Sequence, residues 1–214
     1  MWGFSLLEVL HQMVDVDSPG RPPAYSEAHA LKALEIIGSR LGVGRQQLAS
    51  EVCLGEGTVR TLIRRMRALD LVDVSRGGMT LTEKGRELVE SLGGMLRSRA
   101  FPEHQITVGP VNHAVLIKRV ASRVRRGIEQ RDAALMAGAL GATTLVLAGG
   151  RLMMPGMGEE VDPHVSELVF KILSPEEGDA IIIGSARTRV VAEIGALSAS
   201  LKLLEEALSS VDEK

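Results

Sequence analysis

The chain has 214 residues, a formal net charge of −2, and apolar and charged fractions of 45% and 24%, near those of ordinary soluble domains. That length permits one large domain or two small ones with real cores, and the near-neutral balance leaves any attraction to nucleic acid or membrane to local patches. Cys53 is the single cysteine, so an internal disulfide is excluded, which suits a reducing cytoplasm.

The aromatic residues are Trp2, Phe4, Tyr25, Phe101 and Phe170, too few to build a stacking platform for single-stranded nucleic acid. The opening MWGFSLLEVLHQMV carries Glu8 and lacks a basic leader and a cleavage site, so it does not read as a signal peptide. No apolar run reaches the ~18–20 residues that span a bilayer. A cytoplasmic location without a membrane partner is therefore expected.

In chain order, residues 2–14 predict a short amphipathic helix with Leu6, Leu7, Leu10, Met13 and Val14 on one side. It would cover the following domain or make a dimer contact. DVDSPGRPP reads as loop. From Ser26, a plausible N-cap, the spacing of Leu31, Leu34, Ile37 and Leu41 predicts a helix with a buried stripe. GVG at 42–44 breaks it, RQQLASEV gives a second short helix, and CLGEG turns the chain into a third, capped by Thr58 and running to about Leu69.

That third helix carries the strongest signal. Val59, Leu62, Ile63, Met66 and Leu69 recur at spacings of three and four and define an inward face. Arg60, Thr61, Arg64, Arg65 and Arg67 remain on the other surface, with no acid among them until Asp70. Solvated helix faces normally mix cations with carboxylates. Arginines that repel one another without compensation make best sense where phosphates supply the negative charge. LVDVS, RGG and MTLT then predict a hairpin, and TEKGREL opens a further helix capped by Thr82.

LASEVCLGEGTVRTLIRRMRALDLV followed by MTLTEKGREL resembles the winged helix-turn-helix regulators, with the second stretch similar to their hairpin-return and helix-start signature. The resemblance covers residues 26–97. It implies that the third helix lies in the major groove of double-stranded DNA, with Thr58, Arg60, Thr61, Arg64 and Arg65 toward bases and phosphates. It further implies that Arg45 and Gln46 sit near the backbone, and that Arg76 at the hairpin tip reaches a phosphate or the minor groove. Winged helices also serve as protein-contact modules and as appendages on enzymes, so both remain alternatives.

Beyond SLGGMLRSRAFPEHQITVGP, taken as the boundary, the composition shifts to alanine, glycine and valine. HQITVG and HAVLIKRV read as strands, GIEQRDAALMAGALGA as a helix, TTLVLAGG with RLMMPG as a hairpin pair, VSELVFKIL as strand or helix, GDAIIIGSA as a buried strand, and the stretch from RTRVV to EEAL as a long helix. The expected architecture is α+β: a winged helix-turn-helix domain over 1–97 followed by a two-layer α+β domain over 98–214. GIEQRDAALMAGALGATTLV, DAIIIGSA and AEIGALSASLKLL resemble the uncharacterised C-terminal domain of a family of archaeal winged-helix proteins, which implies architecture and no chemistry.

No catalytic motif stands out, and His11, His29, His104, His113 and His164 lack metal-ligand spacing, so neither an enzyme nor a cofactor is expected. Three features of the second half point toward a small-molecule or anion site. Gly184, Ser185 and Arg187 stand where a strand turns into a helix, as an anion site or as plain turn and cap residues. Arg131 and Asp132 either form an ion pair or, with Thr143 and Thr144, line a pocket. GGRLMMPGMGEE reads as a hairpin and flexible loop, or as methionines lining an adaptable apolar pocket. A second basic cluster comprises Lys118, Arg119, Arg123, Arg125, Arg126 and Arg131. The composite expectation is a homodimeric DNA-binding regulator with an effector-binding or assembly domain. The alternatives are an enzyme on a phosphorylated substrate and a module for protein contacts.

Overall fold

Helical spacing and a glycine-bounded hairpin build the first unit, Met1–Gly94, in the computed structural model, which describes residues 2–14 and 24–209. The proline-rich stretch expected as loop falls at 15–23, outside the described residues. The elements are α1 (Trp2–Val14), α2 (Glu27–Ser39), α3 (Arg45–Glu51), α4 (Glu56–Ala68), β1 (Val72–Ser75), β2 (Gly78–Leu81) and α5 (Glu83–Met95). Leu7, Leu10 and Met13 are buried where α1 packs on α2 and α4. On α2 the buried stripe is Leu31, Leu34 and Ile37; Leu41, expected to continue it, is 94% exposed because the helix has already ended at Ser39.

α4 begins earlier than its sequence pattern predicts. Gly55 is the N-cap, not Thr58, and Glu56 sits in the first turn, where a carboxylate is favoured by the helix dipole. The GVG stretch does more than break a helix. Val43 exchanges both backbone hydrogen bonds with Met79, at 3.2 and 2.9 Å, adding a bridge to the β1–β2 hairpin. Such closeness requires glycine on both sides, since a Cβ on Gly78 would come within 2.4 Å of the Gly42 backbone. Arg76 and Gly77 form the two-residue hairpin tip between the paired Ser75 and Gly78. Thr82 caps α5 as expected, its Oγ1 accepting from the Gly85 N–H at 3.0 Å.

The second unit, Met95–Lys214, holds a six-stranded sheet in the order β3-β4-β8-β5-β6-β7, every pairing antiparallel. Its strands are β3 (Leu96–Phe101), β4 (Val111–Ile117), β5 (Gly141–Ala148), β6 (Arg151–Met154), β7 (Glu159–Glu160) and β8 (Ala180–Ala186); its helices are α6 (Ile128–Met136), α7 (Pro163–Leu173) and α8 (Arg189–Ser209). Val165, Val169 and Leu173, at helical spacing, settle the ambiguous stretch as α7 and join Leu116, Leu145, Leu147, Ile181 and Ile183 in one core. The alternate residues of the central strands meet α8, whose Ala192 and Ala196 lie against Gly184.

Helices therefore cover both faces of the sheet, and the expected two-layer arrangement is corrected to three layers. The run Ala180–Ala186 is buried at every position, the signature of a strand covered on both sides. Two strand assignments also change. HQITVG is a turn, held by Thr107 N–H and Oγ1 donating to the His104 carbonyl at 2.9 and 2.7 Å, while LRSRAF, taken as boundary, forms the edge strand β3. Among the described residues no helix is long and apolar enough to cross a membrane.

Candidate functional sites

Val59, Leu62 and Met66 of α4 are fully buried, which turns Arg60, Arg64 and Arg67 outward. Among the described residues none of these three guanidinium groups makes an ion pair or hydrogen bond. Thr61 is half-buried on the same helix and bonds back to the Gly57 carbonyl at 3.3 Å, and Thr58 is half-buried near the helix start. Arg76 is exposed at the hairpin tip and likewise unpaired among the described residues.

Arg65 behaves differently. Its Nη1 donates to the Met13 carbonyl at 2.7 Å and to the Tyr25 hydroxyl at 3.1 Å, and its guanidinium lies 6.0 Å from the Tyr25 ring centre. The Tyr25 hydroxyl also donates to Met13 O at 2.8 Å, and burial pushes its pKa up against the opposing pull of Arg65. Arg65 thus ties the end of α1 to α4, a structural contact that its expected place facing bases and phosphates did not include. Arg45 and Gln46 are also engaged. Arg45 lies 3.7 Å and Gln46 3.4 Å from the Glu56 carboxylate. That contact is exposed and contributes about 0–1 kcal/mol, little enough for a phosphate to displace it.

In the second unit the expected anion turn does not form. Gly184 and Ser185 lie inside β8, paired to Asn112 and His113 of β4 on one side and to Gly141 and Ala142 of β5 on the other. Ser185 Oγ donates to Asn112 Oδ1 at 2.6 Å and accepts from the Val108 N–H at 3.2 Å, which leaves it nothing to offer an anion. Gly184 is required by packing, because a Cβ there would stand 2.6 Å from Ala192 O and 2.7 Å from Ala196 N. Arg187 is exposed beyond the strand end.

Arg131, Thr143 and Thr144 do converge. They line a cavity of ≈ 340 Å³ together with Arg126, Ile128, Met154 and Met157. Asp132 is not part of the lining; it sits outside, with its Oδ1 3.3 Å from Arg131 Nη2. Thr143 Oγ1 donates to the Ile106 carbonyl, whereas the buried Thr144 Oγ1 has no hydrogen-bond partner among the described residues.

Residues 34–87 match the family model described as the PH0730-like, N-terminal domain, and residues 108–203 match the one described as a domain of unknown function, DUF4443. One match falls on each unit. Among solved structures, "Hypothetical protein PH0730 from Pyrococcus horikoshii OT3" is 28% identical, covering 85% of this chain and 94% of that chain with a TM-score of 0.68. None of the curated proteins matches. The PH0730-like span contains α3, α4 and the hairpin, and the DUF4443 span contains the whole cavity lining. Arg65's anchor on α1 lies before both.

Two arrangements carried no usable sequence signal. Ser98 Oγ lies 2.6 Å from His113 Nε2, which is 3.8 Å from the Glu193 carboxylate, a buried polar cluster linking β3, β4 and α8. Those residues are dispersed over the chain without a motif. Arg126 belonged to a recognisable basic run, but only the fold separates it from Arg123 and Arg125 and sets it at the cavity.

Proposed function

We propose that the chain is a DNA-binding transcriptional regulator, with the first unit acting as a winged helix-turn-helix domain on double-stranded DNA and the second unit taking an effector or mediating assembly of a homodimer. The observation that carries the reading is the exposed face of α4, where Arg60 and Arg64 stand one turn apart with no carboxylate partner among the described residues. Like charges at that spacing destabilise an isolated helix, so a bound polyanion is the natural counterpart. The order α2, α3, α4, hairpin and α5, with Arg76 at the hairpin tip, agrees with α4 lying in the major groove and the tip beside the backbone. Dimerisation would give one short recognition helix the affinity and site length it lacks alone.

The test is selection of genomic duplexes by the purified protein beside an Arg60→Ala, Arg64→Ala double variant. Enrichment of a common sequence by the parent and its loss in the variant is the expected result. Equal enrichment by both would remove α4 as the reading helix. The enzymatic alternative, on a phosphorylated or nucleotide substrate, would act through the Ser185–Arg187 turn, where Ser185 lies within the sheet with its hydroxyl already bonded and Arg187 alone is exposed.

A further inference from the structure

The cavity of the second unit combines features that a plain surface dent does not. Arg126 and Arg131 stand at one lining, and Arg126 has no carboxylate partner among the described residues. Among the described residues Arg131 is held only by Asp132, an exposed pair at 3.3 Å that exchanges readily. Thr144 belongs to the lining, 6% of the residue is exposed, and its hydroxyl has no hydrogen-bond partner among the described residues. A buried hydroxyl without a protein partner keeps its hydrogen-bonding capacity for a water or a ligand. Ile128, Met154, Pro155 and Met157 supply apolar, adaptable surface around these groups.

We propose that this cavity binds a small organic anion, its oxyanion head held by Arg126 and Arg131 with the Thr144 hydroxyl, and its apolar body against Ile128, Met154 and Met157. A planar guanidinium pair suits a phosphate or carboxylate, and the methionines suit a body whose shape is not matched rigidly. At about 30 Å³ per water-sized share, a cavity of ≈ 340 Å³ accommodates on the order of ten non-hydrogen atoms. That matches the size of a substituted monophosphate or carboxylate. The regulatory meaning of such binding rests on the DNA-binding reading above; the binding itself does not.

Titration calorimetry of the full chain, without DNA, uses phenyl phosphate, inorganic phosphate and phenol as probes. Phenyl phosphate is expected to bind with a Kd below about 1 mM, about tenfold tighter than inorganic phosphate, with phenol silent. Arg126→Ala with Arg131→Ala weakens it by about tenfold or more. Thr144→Val also weakens it while leaving the melting temperature unchanged or raised, because an unsatisfied hydroxyl is replaced by an isosteric methyl. No phenyl phosphate binding up to about 10 mM, or equal binding by the double arginine variant, overturns the proposal. The Arg60→Ala, Arg64→Ala variant separates it from the DNA reading: it keeps phenyl phosphate binding if the cavity is the site, whatever happens to duplex affinity.

Discussion

Replacing Arg60 and Arg64 by alanine tests the α4 face quantitatively. Each arginine that neutralises one phosphate releases counterions and contributes a slope of about −0.9 to log K against log salt. Losing both makes the slope shallower by about 1.8 for each bound protomer. Between about 50 and 200 mM salt, a fourfold range, the parent's advantage over the variant should therefore shrink about tenfold per protomer. The folded state should not suffer. Both side chains are exposed and unpaired among the described residues, and they stand at i and i+4, where like charges destabilise by about 0.2–0.5 kcal/mol. The melting temperature is thus expected to hold or rise slightly. Fluorescence anisotropy on a selected duplex over a salt series, with circular dichroism melts beside it, makes the measurement. An unchanged salt slope in a normally folded variant would refute the assignment of these arginines to phosphates.

The neighbouring Arg65→Ala should do the reverse, lowering stability by roughly 1–3 kcal/mol through loss of its bonds to Met13 O and the Tyr25 hydroxyl while leaving the salt slope of the folded fraction intact; urea midpoints and the same anisotropy series check both halves. Burial lowers the pKa of His29 from its ordinary 6.5, so the folded chain keeps it neutral where the unfolded chain binds a proton. The stability it contributes is present above pH 6.5 and is lost as pH falls through the folded value, and His29→Gln should flatten that part of a urea-midpoint profile. Gly184→Ala should destabilise the second unit by roughly 1–3 kcal/mol, because the new methyl meets Ala192 O and Ala196 N, backbone atoms that move only if α8 moves; a thermal melt no lower than the parent's would contradict that packing.

The first unit was legible where its physics is local. Apolar spacing located α2, α3, α4 and α5, and the alternation around RGG located the hairpin, because each of these depends on neighbours within a few residues. The helix start at Glu56 was missed because Thr58 is the better capping residue by type, while the chain caps with the Gly55 backbone. The partner of Arg65 lies 52 residues away in sequence, at Met13, and no helical pattern contains it. Arg64 and Arg65 differ by one position on the wheel, yet one faces solvent and the other ties down α1.

In the second unit the strands with continuous apolar runs were legible, but their continuity held more information than the two-layer expectation drew from it. A strand buried only on one face alternates; Ala180–Ala186 does not, and that alone implies cover on both sides. β3 escaped for the opposite reason, since Arg97 and Arg99 break the apolar pattern of this edge strand, with Arg97 turned to the Leu173 carbonyl. The cavity stands between these cases. Arg131, the two threonines and the methionine-rich loop each hinted at a pocket from separate segments, and β5, β6 and α6 bring them together. Gly184 and Ser185 had the better local pattern for an anion, yet strand pairing on both sides consumes their backbone groups. Composition proposes which residues can hold a charge, and hydrogen-bond saturation decides which still have the capacity to do so.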